Sequence, residues 1–329
     1  MRETINCIDS GTEYCPCHLA ESNECIMCSQ LQGKCFCDCL HWNGVCIYQD
    51  FKSNNSKAKE ERKTYNCLVI KKEIYDNDLL LIEFEVPHKL AIDLVKPGSY
   101  IFIRTNENIY FDVPISILES DIEKNTIAIM IEIRGIKTKK LLEIEKGGEI
   151  TIRGPYWNGV FGLKEINKQK NNKVLVIARG IGLAPMMPVV RKLSQNNNEL
   201  NLILDKAGYK EKYIEDYLEG YKYNLIEKKV LDKGELSEEV KVLIKEFIKE
   251  KGVRYIHLAG ADILTVKVIE YLDEISEQEV LLSCCNNTKM CCGEGICGSC
   301  TVRFSGRRVK RLCKLQADPR SIFEGRRLI

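Results

Sequence analysis

The segment Cys292-Gly-Glu-Gly-Ile-Cys297-Gly-Ser-Cys300, completed by Cys313, spaces four thiols as C-x4-C-x2-C-x12-C. This is the plant-type spacing of a [2Fe–2S] cluster, in which four thiolates hold two irons. A loop that wraps two irons must turn so that its amides face the sulfides, and Gly293, Gly295 and Gly298 permit that path. Cys313 is expected to return from a hairpin that turns at Ser305-Gly306. A zinc ribbon would more usually show two C-x2-C pairs. Cys284, Cys285 and Cys291 fall outside the spacing and read as packing residues.

A second group of thiols crowds the other end. Of 17 cysteines, nine lie in residues 1–50, seven in 284–329, and only Cys67 between. Cys15, Cys17, Cys25, Cys28, Cys35, Cys37, Cys39 and Cys46 show C-x-C and C-x2-C spacings that can grip zinc or an iron–sulfur cluster, and His18 or His41 could replace a thiolate. Spacing alone does not choose between structural zinc, a second iron–sulfur centre extending an electron path, and free thiols. Disulfides belong to oxidising compartments. Met1–Cys7 lacks the apolar stretch of an export signal, so a cytoplasmic location and metal-binding thiols are expected.

A third feature is Gly180-x-Gly182-x-x-Pro185. It follows the apolar run Val174–Ala178 and precedes a helical pattern. In that setting the glycines let a pyrophosphate approach a helix N-terminus, though a glycine turn can serve packing alone. Asp205 closes the next strand. A carboxylate there binds a ribose 2′-hydroxyl and repels a 2′-phosphate, which leans towards NADH over NADPH; the alternative is a solvated strand-end carboxylate.

These groups need elements to carry them. From Thr64 to Leu163, Ile82, Phe84 and Val86 alternate with Glu83 and Glu85; Tyr100–Arg104, Ile127–Arg134 and Glu149–Arg153 are similar, with Pro97-Gly98 and Gly147-Gly148 as turns. Short strands with turn signals predict a small antiparallel barrel or sandwich. After Asn171, buried strands at Val174–Ala178, Leu200–Leu204 and Tyr255–Ala259 alternate with helices, one capped by Ser237 and stopped at Gly252. That rhythm predicts a doubly wound α/β parallel sheet. The expected organisation is a cysteine-rich module (1–50), a polar linker (51–63), a barrel (64–163), an α/β nucleotide domain (171–283) and a cluster-binding tail (284–329). His257, in a buried strand, reads as a core residue.

With 329 residues, 44% of them hydrophobic, the chain can bury more than one core, so global disorder is excluded. Lys and Arg number 49 against 47 Asp and Glu, so no chain-wide field recruits nucleic acid or a membrane surface. No apolar run approaches the ~20 residues of a membrane span. Nine basic residues crowd 303–327 (among them Arg303, Lys310, Arg311 and Lys314). They read as compensation for a cluster of net charge about −2, or as a docking face for an acidic redox partner.

The order of these parts resembles the ferredoxin–NADP reductase superfamily over about Thr64–Ile329. It is most similar to the electron-transfer subunits of two-subunit dihydroorotate dehydrogenases and the small flavin subunit of ferredoxin-linked NAD(P)H oxidoreductases. Val113-Pro114-Ile115-Ser116 resembles the family's Arg-Pro-x-Ser/Thr strand along the flavin ring, and Gly135-Ile136-Lys137-Thr138 its Gly-x-Gly-Thr pyrophosphate turn. Arg179–Pro185 matches the nicotinamide-nucleotide turn. Gly154–Phe161 resembles the segment that closes the flavin domain. Val113 replaces the usual arginine, Lys137 the second glycine, and Ala259-Gly260-Ala261 stands where Cys-Gly-Pro is frequent. The resemblance implies an oxidoreductase subunit with FAD, a [2Fe–2S] cluster and NAD(H) or NADP(H). Its partner would be a dihydroorotate dehydrogenase-like catalytic subunit or a ferredoxin-type protein. It requires no catalytic side-chain acid, base or nucleophile.

Overall fold

The computed structural model describes residues 6–37, 45–76, 78–105, 112–210, 214–303 and 309–324. They divide into two compact units, Thr64–Asn287 with Asp318–Ile329, and Met1–Lys63 with Thr288–Ala317.

The larger unit begins as a closed antiparallel barrel. Its strands run, in spatial order, Thr64–Tyr75, Leu79–Glu85, Thr126–Glu132, Val113–Asp121, Tyr100–Arg104 and Glu149–Tyr156. The predicted alternation decides which side chains go inside: Val69, Leu80, Ile82, Phe84, Ile101, Ile103, Ile129 and Ile152 fill the barrel. An α/β layer follows. Its sheet orders Tyr223–Glu227, Glu199–Asp205, Lys173–Arg179, Tyr255–Ala259 and Leu281–Cys285 as parallel neighbours, with Val160–Phe161 antiparallel at one edge. The three predicted strands sit at its centre. Ser237 caps the helix Glu238–Lys249, its Oγ accepting from the Val240 N–H, and Gly252 beyond that helix has φ +76°.

Two sequence boundaries move. Val160–Phe161, expected in the barrel, pairs with Cys284–Cys285, expected in the tail. Both segments are continuously apolar and buried, so a sheet edge covered on both faces takes them. Barrel residues Leu79, Leu81, Leu118 and Met130 also share one apolar core with Val174, Met186, Val190 and Leu204 of the α/β layer. That shared core makes barrel and sheet one unit.

The smaller unit has little regular structure. Asn6–Cys7 pairs with Leu315–Gln316, Thr301–Arg303 pairs with Val309–Arg311, and a short helix spans Ile47–Ser53. One apolar cluster there holds Ala20, Leu31 and Phe51, with Cys25, Cys28 and Ile47 packed against them, and Leu19, Ile26, Leu312 and Leu315 are buried as well. The stretch expected as a linker, 51–63, is built in at both ends, with Phe51 and Arg62 both buried. The polar composition that suggested a linker reflects a unit that closes on charge.

That charge is a ring. Arg62 Nη2 donates to Asp9 Oδ1 at 2.6 Å and Nη1 to Glu294 Oε2 at 2.7 Å; Lys314 Nζ donates to Asp9 Oδ2 and, at 2.9 Å, to Glu294 Oε2. All four side chains are at most 6% exposed. The Arg62 guanidinium also lies 4.1 Å from the Tyr14 ring centre. Burial opposes ionisation of Asp9 and Glu294, but Lys314 and Arg62 outweigh it and hold both carboxyls below their usual range. Two cations and two anions balance inside, the condition under which buried charge is tolerated.

Candidate functional site

On the strand Val113–Asp121, Val113, Ile115 and Ile117 face the barrel core, so Pro114 and Ser116 face out. Opposite them on Tyr100–Arg104 stand Phe102 and Tyr100. Tyr100 stacks on Tyr156 at 5.1 Å, and Phe102 meets Tyr156 edge-on at 5.1 Å. The result is a buried aromatic cluster beside Pro114–Ser116, with Phe102 edge-on to both tyrosines. At its edge Gly135 precedes the short helix Ile136–Lys140, and Thr138 Oγ1 accepts from the N–H groups of Arg134 and Gly135.

The missing arginine at Val113 has substitutes. Arg153 Nη2 pairs with Asp112 Oδ2 at 3.1 Å, Arg104 Nη1 approaches Asp112 Oδ1 at 3.4 Å, and Lys137 Nζ donates to the Asp112 carbonyl at 3.2 Å. Arg153 also lies over the Phe102 ring, 4.7 Å from its centre. Three cations thus meet at Asp112 next to Val113, leaving surplus positive charge, which fits an FAD pyrophosphate. Arg104 and Arg153 escaped the sequence reading. Their only signal was position, each closing an apolar run on an expected strand.

Gly180–Gly182 forms the turn between the strand Lys173–Arg179 and the helix Leu183–Gln195, with Pro185 in the first helical turn. A Cβ on Gly182 would stand 2.3 Å from the Ala259 carbonyl oxygen and 2.6 Å from the Gly260 nitrogen. Glycine is therefore required for the turn to pass the Ala259-Gly260 peptide. Gly260 is held further: the Cys285 sulfur accepts its N–H, and Asn287 Nδ2 donates to its carbonyl at 2.7 Å. The helix then anchors on the flavin-side strand, Arg191 Nη1 donating to the Ser120 carbonyl at 2.9 Å.

Asp205 lies at the strand end, as expected, but its carboxylate is already engaged. Oδ2 accepts from Arg179 Nε at 3.1 Å and from the Val230 N–H at 2.9 Å, and Oδ1 from the Ala207 N–H at 2.8 Å. It braces the nucleotide turn from below. His257 is fully buried, with Nδ1 2.7 Å from Ser283 Oγ, and burial drives its pKa down to about 3, so the ring is neutral.

In the smaller unit the cluster loop carries positive φ at Gly293, Gly295 and Gly298, as the sequence requires. The Glu294 N–H donates to Cys292 Sγ at 3.3 Å, and Arg311 Nε donates to the Gly295 carbonyl at 3.2 Å. Cys300 and Cys313 are buried and share a hydrogen bond, which lowers Cys300 to about 6 and raises Cys313. Cys297 and the neighbouring Ile296 are exposed. Three thiols on a glycine-flexed loop, with Cys313 brought against Cys300 and an amide on one sulfur, fit a [2Fe–2S] cluster. Lys314, expected among the tail's solvent charges, lies instead in the buried ring, and Arg320 Nη1 binds the Val280 carbonyl in the larger unit.

Of the amino-terminal thiols, Cys15, Cys17 and Cys25 line one hollow, and Cys7 joins them. Cys28, Cys35, Cys37 and Cys46 do not border it; Cys39, His41 and the Ser305-Gly306 turn lie outside the described residues. His18 is turned away, its ring nitrogens each 3.1 Å from Glu21 and Glu61. Burial raises the Cys15 thiol to about 12. Among the described residues no cysteine is in a disulfide, and no group of three or more His, Cys, Asp or Glu is arranged to hold a single metal ion. Among them, too, no helix is long and apolar enough to cross a membrane.

No family model matches the sequence. The chain is 28% identical over 226 residues to the electron transfer subunit of dihydroorotate dehydrogenase B (NAD(+)) from Clostridium acetobutylicum, covering 67% of this chain and 82% of that protein. It is 31% identical over 196 residues to the probable electron transfer subunit of the same enzyme from Methanocaldococcus jannaschii, covering 58% and 67%. Among solved structures, a chain of the NADH-dependent reduced ferredoxin–NADP oxidoreductase superposes with a TM-score of 0.60 at 18% identity, over 78% of this chain and 91% of that one. The ferredoxin reductase of carbazole 1,9a-dioxygenase gives 0.52 at 16% identity, over 68% and 69%. The structural matches establish the ferredoxin reductase fold, and the sequence matches, carried on that fold, show that the chain belongs to the family of dihydroorotate dehydrogenase B electron transfer subunits.

Proposed function

We propose that this electron-transfer subunit takes hydride from a nicotinamide nucleotide at a flavin and delivers single electrons to a partner protein through a [2Fe–2S] cluster on Cys292, Cys297, Cys300 and Cys313. The observation that carries the reading is the convergence of Arg104, Arg153 and Lys137 on Asp112, beside Val113. With one carboxylate among three cations, the surplus positive charge would offset the arginine absent at Val113. FAD supplies the exchange between a two-electron hydride and one-electron carriers.

The chain's own residues bind and orient. Pro114 and Ser116, on the outward face of their strand and backed by the Tyr100, Phe102 and Tyr156 cluster, would hold the isoalloxazine, and Gly135, Lys137 and Thr138 would hold the FAD phosphates. Gly180 and Gly182 let a nucleotide pyrophosphate approach the N-terminus of Leu183–Gln195. No side chain need take or give a proton at the nicotinamide, because hydride moves directly. The exposed Ile296-Cys297 edge supports an exit for electrons towards a partner. In this reading the partner is a catalytic subunit of the dihydroorotate dehydrogenase type or a ferredoxin-type protein, and the setting is the cytoplasm.

The test is anaerobic stopped-flow mixing of the purified holoprotein with NADH and, separately, NADPH. Flavin bleaching followed by loss of the cluster's visible absorbance is expected, faster with NADH. Bound flavin that neither nucleotide bleaches overturns the reading.

A further inference from the structure

We propose that Cys7, Cys15, Cys17 and Cys25 are the ligands of a second iron–sulfur cluster, housed in the smaller unit beside the Cys313 end of the first. In sequence the four make a symmetric C-x7-C-x-C-x7-C pattern. In the fold they line one hollow, walled otherwise by apolar groups such as Pro16, Leu19, Ile26 and Ile47.

Every one of the four sulfurs receives a backbone amide. Asp9 N–H serves Cys7, Gly11 serves Cys15, Leu19 serves Cys17, and Met27 and Cys28 serve Cys25, the last at 3.4 Å. Amide hydrogen bonds to sulfur are how a protein holds and tunes the charge of a thiolate-bound cluster.

Position adds the second argument. Cys7 pairs with Leu315, and the Ile8 N–H donates to the Lys314 carbonyl at 2.9 Å. Antiparallel partners lie about 5.5 Å apart at most, and two residues of chain span at most about 7 Å. The Cα atoms of Cys7 and Cys313 are therefore within about 13 Å, close enough for electrons to tunnel between centres held there. The charge ring of Asp9, Arg62, Glu294 and Lys314 ties both loops to one support, because Asp9 follows Cys7 and Lys314 follows Cys313. The ligand assignment stands apart from the proposed function; only the neighbouring centre rests on it.

The experiment is anaerobic purification of the full chain, with iron, acid-labile sulfide and zinc measured per chain and EPR spectra of the reduced protein. Iron beyond the two atoms of a [2Fe–2S] cluster is expected, with two reduced signals broadened by mutual coupling. C7S and C17S should each lose the second cluster's iron and signal while keeping the other signal and the flavin; C35S, at an exposed thiol off the hollow, should change nothing. C300S tests the first cluster separately, and unchanged iron there would sink the first reading without touching this one. If C7S does not fold, the wild-type measurement decides. One equivalent of zinc with no iron beyond two, a single uncoupled signal, or C7S with unaltered iron would each overturn the proposal.

Discussion

The two units close by opposite means. The larger unit buries aliphatic side chains in continuous cores that run through barrel and sheet. The smaller gathers small, scattered apolar clusters, a four-membered ring of buried charge and two sets of thiols. Aliphatic burial tolerates the loss of one contact, since each methylene contributes about 0.8 kcal/mol. A charge ring does not, because removing one member leaves its partners buried and unpaired. A chain can therefore carry an autonomous flavin fold and, on the same polypeptide, a unit whose integrity hangs on a few polar groups.

The strongest way to separate the two is to disable one chemistry and watch the other. Cys300→Ser should abolish the [2Fe–2S] absorbance and reduce delivery to a one-electron acceptor to background, with NADH still bleaching the flavin; loss of flavin reduction as well would show that the units do not work independently. Next in size, Arg62→Met leaves Asp9, Glu294 and Lys314 with a net buried negative charge. It should destabilise the smaller unit by about 3–5 kcal/mol. Calorimetry should show one transition falling while that of the flavin unit stays, and a uniform shift of both would contradict the division.

Within the flavin unit, Gly182→Ala drives a Cβ into the Ala259 carbonyl. Displacing the turn should cost about a hundredfold in kcat/KM for the nucleotide, with FAD content unchanged. Equal rates in steady-state assays would remove that turn from the nucleotide site.

Acid distinguishes the units by window. His257 is neutral in the fold, with a pKa near 3 against 6.5 unperturbed. The unfolded chain binds that proton first, so the flavin unit should weaken as pH falls below 6.5, by up to about 1.4 kcal/mol per pH unit. Asp9 and Glu294 are depressed instead. Their contribution is complete above the ordinary carboxylate range and is lost only as pH falls below about 4. Thermal melts across this range should show the flavin unit's transition moving first, and His257→Phe should flatten its slope; coincident slopes would refute the assignment. The smallest effect is Ser237→Ala, which removes an N-cap and should cost about 1 kcal/mol in the flavin unit alone, read as a small drop in its melting transition.

Legibility in the sequence followed the same divide. Tyr100–Arg104 and Tyr255–Ala259 are found where alternation and apolar runs predict them, because strand period and burial are local properties. The glycines of both turns were readable for a similar reason, since a positive φ or a close approach excludes other residues. Phe51–Lys63 was misread, because polarity signals a linker only when its charges meet water, and Arg62 meets Asp9 and Glu294. Cys7 was passed over because its partners are eight or more residues away, and only the ladder with Leu315–Gln316 seats it.

By itself, then, the sequence determined the barrel, the parallel sheet, the Gly180–Gly182 turn and the glycine-rich loop of Cys292, Cys297 and Cys300, all written in spacings of a few residues. Tertiary structure alone decided which cations gather at Asp112 beside Val113, which thiols share a hollow, and that Met1–Lys63 and Thr288–Ala317 build one unit. Those choices depend on side chains brought together across long stretches of chain, where charge balance and burial, rather than local periodicity, select the neighbours.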